Sequence, residues 1–132
     1  MKGSNKMSIL LRRSSFVRSS MRGVRQLSFI IVGDQEAFTK LESNDKKKIF
    51  YFTASWCPPC RMIGPIFEKM AADHPTVDFC KVDVDELPDA AGAYKVSGVP
   101  MFVFSNGVTK VHEITGADEN GIRAGVNALE AL

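Results

Sequence analysis

Residues Ile49 to Ala54 read Ile-Phe-Tyr-Phe-Thr-Ala, a nearly continuous apolar and aromatic run. A strand with one wet face alternates apolar and polar side chains. This run does not, so both of its faces are covered, as in a central strand with helices packed on either side. The rest of the chain supplies the elements such a sheet needs.

Phe29 to Val32 reads as a short first strand stopped by Gly33. Asp34 is a fitting N-cap for a helix through about Glu42, with Ala37, Phe38 and Leu41 on its apolar face. Asn44 to Lys48 carries three consecutive lysines and reads as a solvated turn. After Ala54, a helix from Arg61 to His74 carries Met62, Ile63, Ile66, Phe67 and Met70 as an apolar stripe. Pro65 falls in its middle and is expected to kink it. Val77, Phe79, Cys80, Val82 and Val84 mark a third strand, and Leu87 to Tyr94 a short helix. Met101 to Phe104 is a fourth strand, joined through Asn106-Gly107 to a fifth that runs to about Ile114. A last helix, capped at or just before Asp118, sets Ile122, Val126, Leu129 and Leu132 on one face. Strands alternating with helices, then a hairpin and a helix, describe a three-layer α/β/α arrangement with one antiparallel edge.

Between the covered strand and its following helix stands Trp56-Cys57-Pro58-Pro59-Cys60. With Cys57 as N-cap, Pro58 and Pro59 take the first two helical positions, where a missing N–H costs least. Cys60 then sits where its N–H can reach the Cys57 sulfur, as it would reach a capping oxygen. A thiolate at a helix start meets unpaired N–H groups and the positive end of the dipole. A two-residue spacer lets the sulfurs join or separate. One exposed, activated thiolate beside one shielded partner is the requirement for reversible thiol–disulfide exchange. Zinc would need two further ligands, and Cys80, His74 and His112 form no second close pair.

The segment from Trp56 to Pro65 resembles the active-site stretch of the thioredoxin family, including the proline five residues after the second cysteine. The likeness continues through Lys81-Val82-Asp83-Val84-Asp85, through Tyr94 to Pro100 and through Thr115-Gly116-Ala117, and covers roughly residues 29–132. It implies a thioredoxin fold with a central five-stranded mixed sheet and four helices. It also implies a dithiol disulfide reductase, with Cys57 as nucleophile and Cys60 as resolving thiol. Pro100 would be in cis, and Trp56, Pro58, Pro59, Val99, Pro100 and Gly116 would form the substrate surface. The backbone of Val99 would pair with a client peptide like an added strand. No bound cofactor is implied. Electrons would come from NADPH through a thioredoxin reductase, and the partners would be that reductase and disulfide-containing client proteins. Oxidase or isomerase work, or peptide binding in the same groove, is the alternative, because direction depends on potential and compartment.

Two residues depart from the family pattern. Many members keep a buried aspartate six residues before the first cysteine, to relay the proton of the second; here Tyr51 stands there. A phenol of reference pKa about 10 is no useful base near neutrality. Deprotonation of Cys60 would then rely on water, on Lys81 or on the leaving thiolate. The spacer is Pro58-Pro59 where Gly-Pro is commoner, which removes an N–H donor near Cys57.

Charge divides the chain. Residues 1–28 hold seven Lys or Arg and no acid; the remainder holds ten basic and fifteen acidic residues, a net of −5. The domain is therefore mildly acidic, which argues against nucleic-acid binding. No apolar run approaches the ~20 residues of a membrane span. An odd count of three cysteines suits an intracellular redox protein better than a disulfide scaffold. Residues 1–27 form an Arg- and Ser-rich extension ahead of a domain at 28–132. Leu10, Val17, Met21 and Val24 fall on one helical face, which is the composition of an organelle transit peptide. Arg25-Gln26-Leu27-Ser28 resembles a mitochondrial processing site, with cleavage expected near Leu27/Ser28. The expected location is the mitochondrial matrix, with plastid or cytoplasm as alternatives, and the expected state is a monomer.

Overall fold

The computed structural model describes residues 28–132. The basic segment and its expected cleavage site at Leu27/Ser28 lie outside them, apart from Ser28. In chain order the elements are β1 (Phe29–Ile31), α1 (Gln35–Ser43), β2 (Lys47–Thr53), α2 (Pro58–Asp73), β3 (Asp78–Asp83), α3 (Pro88–Ala93), β4 (Met101–Asn106), β5 (Thr109–Thr115) and α4 (Glu119–Glu130). The sheet order is β1-β3-β2-β4-β5. β2 is its middle strand, parallel to β3 and antiparallel to β4.

The two faces of β2 feed two cores. Ile49 and Tyr51 point to one side and join Phe67 and Met70 of α2, Phe79, Phe102, Phe104, and Ile122, Val126 and Leu129 of α4. Phe50 and Phe52 point to the other and meet Phe38 of α1, Cys80, Val82, Leu87, Ala90 and Val103. Each of these side chains is nearly excluded from water. Burial contributes about 1.5–3 kcal/mol for each large one, so this strand anchors both layers. α4 approaches closely at Gly125, where a Cβ would lie 2.7 Å from the Phe104 ring.

Several expectations are corrected. Lys47 and Lys48 belong to β2, not to a solvated turn. Lys48 is fully buried, with Nζ donating to the carbonyls of Asn44 at 3.1 Å and Gly107 at 2.7 Å. Those two carbonyls replace the water a lysine would otherwise need. Antiparallel pairing is confined to one edge of the sheet, where it joins β2 to β4 and β4 to β5. Met62 is 63% exposed, so the α2 stripe is narrower than its spacing implies, and Leu132, 62% exposed, lies past the end of α4. Val84 lies past the end of β3. Pro65 falls inside α2, where its spacing placed it.

Caps hold as the sequence implies. Asp34 accepts the Ala37 N–H at 2.8 Å, and Asp118 accepts the Gly121 N–H at 2.9 Å. The β4–β5 connection is Gly107-Val108, with Gly107 at φ +67.

Candidate active site

The site lies where β2 and β3 end together, at the carboxyl edge of the parallel part of the sheet. β2 stops at Thr53, and the chain turns through Ala54, Ser55 and Trp56 into α2. The Cys57 N–H donates to the Ala54 carbonyl at 3.2 Å, which closes that turn. Cys57 is the N-cap of α2, with extended backbone and Pro58 and Pro59 at the first helical positions. Its sulfur accepts the Cys60 N–H at 3.2 Å, and its carbonyl accepts the Arg61 N–H at 3.2 Å. Cys57 and Cys60 are joined in a disulfide with Cα atoms 5.2 Å apart, inside the ordinary range.

In the closed disulfide neither sulfur is exposed. Cys57 is 2% and Cys60 3% exposed, and both pack with Ala54, Val84 and Val99. Trp56 beside them is 64% exposed. Its indole N–H donates to Asp85 Oδ2 at 2.9 Å. Asp85 is set in turn by Asp83, whose Oδ1 accepts the N–H of Asp85 at 2.8 Å and of Glu86 at 3.2 Å. Motif spacing marks neither aspartate as a site residue. The available signal was topological: β2 and β3 are adjacent parallel strands, so the residues just past each must meet.

The Val99–Pro100 peptide is cis. The Val99 carbonyl oxygen lies 3.6 Å from Cys57 Sγ. Gly116, at φ +107, donates its N–H to the Pro100 carbonyl at 2.8 Å, and no atom lies within 4 Å of where its Cβ would be. Trp56, Val84, Val96, Ser97, Gly98 and Val99 line a shallow, largely apolar groove of about 160 Å³ next to the disulfide.

Tyr51 lies behind Cys60. Its ring stacks on Phe102 at 4.9 Å and packs beside Phe67 at 5.1 Å. Its hydroxyl donates to the Cys60 carbonyl at 3.0 Å. Burial raises its pKa, so the phenol keeps its proton. Tyr51, Cys60, Lys81 and Asp83 all line one cleft of about 270 Å³ between α2 and β3. Cys80 is elsewhere, in the core on the other sheet face, and burial pushes its thiol up to about 12. His74 pairs with Glu130 at 3.0 Å, and His112 packs beside Phe104. Among the described residues no three His, Cys, Asp or Glu side chains are grouped to hold a metal, and no helix is long and apolar enough to cross a membrane.

A helix-capping cysteine in a disulfide with its third neighbour, a cis-proline beside it and a mixed sheet behind define a thiol–disulfide redox domain. The thioredoxin family model matches residues 29–128, and the chain belongs to that family. It is similar to a TPR repeat-containing thioredoxin of Oryza sativa subsp. japonica, 42% identical over 95 residues, covering 70% of this chain and 30% of that protein. Thioredoxin H2-1 of the same organism is 39% identical over 90 residues, covering 68% of this chain and 65% of its own length. The chain thus spans less than two thirds of either relative. Among solved structures, the oxidized form of mitochondrial thioredoxin 3 of Saccharomyces cerevisiae superposes with a TM-score of 0.71 at 32% identity, covering 76% of this chain and 95% of that one.

Proposed function

We propose that this protein is a protein-disulfide reductase working by a two-thiol mechanism. The observation that carries it is the placement of Cys57 Sγ at the start of α2, accepting the Cys60 N–H and bonded to Cys60. In the reduced form the same N–H stabilises a Cys57 thiolate. That thiolate attacks one sulfur of a client disulfide; the client S–S bond breaks and its other sulfur leaves with the electron pair. Cys60 then attacks Cys57 Sγ, which closes the Cys57–Cys60 disulfide and expels the second client thiolate.

Trp56, Pro58, Pro59, Val99, Pro100 and Gly116 form the client surface. The Val99 N–H takes no hydrogen-bond partner among the described residues, so it is free to pair with an extended peptide. Asp85 holds the Trp56 ring beside the groove. A thioredoxin reductase using NADPH restores the dithiol. Residues 1–27 act as a removable extension and 28–132 as the working domain. The mitochondrial matrix is the proposed site of action, supported by the acid-free, Arg-rich composition of that extension and by the likeness to the yeast mitochondrial protein.

Insulin disulfide reduction with thioredoxin reductase and NADPH tests the activity. Wild type consumes NADPH, and Cys57→Ser and Cys60→Ser do not; equal rates in all three contradict it. Incubation of the full chain with isolated mitochondria tests the location. Protease-protected, shortened protein is expected, and full-length protein left outside contradicts it.

A further inference from the structure

The two-thiol cycle leaves a proton to account for. When Cys60 attacks Cys57 Sγ, the Cys60 S–H bond must break as the new S–S bond forms and the client thiolate departs. Tyr51, the residue behind Cys60, cannot take that proton. Its hydroxyl already gives its hydrogen to the Cys60 carbonyl at 3.0 Å, and burial keeps it protonated.

The cleft beside it offers another route. Its volume of about 270 Å³ accommodates several waters. The charged groups facing it are Arg61 and Glu68 from α2 and Lys81 and Asp83 from β3. Arg61 is engaged by the Ser55 carbonyl at 2.8 Å, and a guanidinium accepts no proton. Glu68 stands two helical turns beyond Cys60 and is exposed. Asp83 differs from Glu68 in being fixed. Its Oδ1 is held by the Asp85 and Glu86 N–H groups, while its Oδ2 has no hydrogen-bond partner among the described residues. Lys81 lies two residues earlier on the strand, so it shares the Asp83 face of the sheet. It pairs across the sheet with Tyr51, as Asp83 pairs with Thr53.

We propose that Asp83 is the proton acceptor for the resolving step, taking the Cys60 proton through water in this cleft, with the Lys81 ammonium favouring the Cys60 thiolate. This rests on the reductase activity proposed above. Atoms and charge balance without a further reactant. The proton passes from Cys60 Sγ to a water and from that water to Asp83 Oδ2. The Cys60 electron pair forms the bond to Cys57 Sγ, and the client sulfur leaves as thiolate. Asp83 later returns the proton to solvent through the open cleft.

The test is stopped-flow reaction of the reduced protein with 4,4′-dithiodipyridine, which releases one thiopyridone on attack by Cys57 and a second on resolution by Cys60. Wild type, Asp83→Asn, Lys81→Met and Glu68→Gln are compared between about pH 6 and pH 9, the range over which a thiol of ordinary pKa gains thiolate character. Asparagine keeps an oxygen for the Asp85 and Glu86 N–H groups. In Asp83→Asn the second phase is expected to slow about tenfold at the acidic end, toward the lower end of general-base contributions. Its first phase should stay within about twofold, because Cys57 is untouched. The deficit should shrink as pH rises, and added formate should restore part of the rate. Lys81→Met should slow the second phase less, and Glu68→Gln not at all. An unchanged second phase and pH profile in Asp83→Asn overturns the assignment. So does a slowing carried by Glu68→Gln, or an Asp83→Asn deficit that neither pH nor formate relieves. Loss of the first phase in wild type would instead overturn the reductase activity itself.

Discussion

Cys57 receives one backbone N–H, from Cys60 at 3.2 Å, and the two residues between them are prolines with none to offer. Fewer donors stabilise a thiolate less. Pro58→Gly should therefore lower the pKa of Cys57, read from the pH dependence of its alkylation by iodoacetamide; an equal or higher value contradicts this. Tyr51 is a second residue whose character is set by its surroundings. It is 1% exposed and stacked on Phe102, and its hydroxyl reaches the Cys60 carbonyl at 3.0 Å. Tyr51→Phe keeps the ring and loses one hydrogen bond, so it should cost about 1 kcal/mol in chemical denaturation. Tyr51→Asp would supply the carboxylate common in the family but remove a packed ring, at about 3–5 kcal/mol. A resolution rate measured in that variant must be read alongside its stability. Both cysteines, Trp56 and Pro100 were legible from residue order alone, because motif spacing carries them. Asp83 and Asp85 were not, because their contribution depends on two strands ending side by side.

At the level of elements, apolar continuity identified β2 as the central strand but misplaced its start. Lys47 and Lys48 look like loop residues by charge, and only the two carbonyls around Lys48 Nζ make a buried lysine tolerable. Burial lowers the Lys48 pKa, and hydrogen bonds from a charged group are worth about 1.5–3 kcal/mol each. Lys48→Met gains from burying an apolar chain but leaves the Asn44 and Gly107 carbonyls without it. A net loss of about 1–2 kcal/mol is expected, with faster amide exchange in the β4–β5 hairpin. Helical spacing likewise found the α2 and α4 stripes but not their limits: a 3.6-residue period cannot say how wide the sheet beneath is, which leaves Met62 outside, nor where a helix stops, and Leu132 lies past the end of α4. β3 carries a testable pH dependence at Cys80, whose thiol is raised from 9.0 to about 12 by burial. Between those values the folded state keeps a proton that the unfolded chain has lost. The contribution is whole below about pH 9 and declines as pH rises toward 12, by about 1.4 kcal/mol per pH unit. Denaturation of wild type and Cys80→Ala across that range should show the steeper decline in wild type. Parallel curves would contradict it.

Over the whole molecule, α2 and the strand before it do two jobs at once. Phe67 and Met70 seal one core, while at the start of the same helix Cys57 packs against Val84 and Val99 of the groove and Cys60 lines the cleft. The disulfide thus stands between two openings of different chemistry. The groove beside Trp56 and Val99 is largely apolar, and the cleft carries the charged side chains of Arg61, Glu68, Lys81 and Asp83. The proposed cycle gives attack to Cys57 and resolution to Cys60. The most direct measurement is intact-protein and peptide mass spectrometry after mixing reduced single-cysteine-pair variants with a peptide disulfide. Cys60→Ser should accumulate a peptide adduct on Cys57 that persists until an external thiol is added, and Cys57→Ser should accumulate none on Cys60. An adduct on Cys60, or no adduct on Cys57, would contradict the assignment.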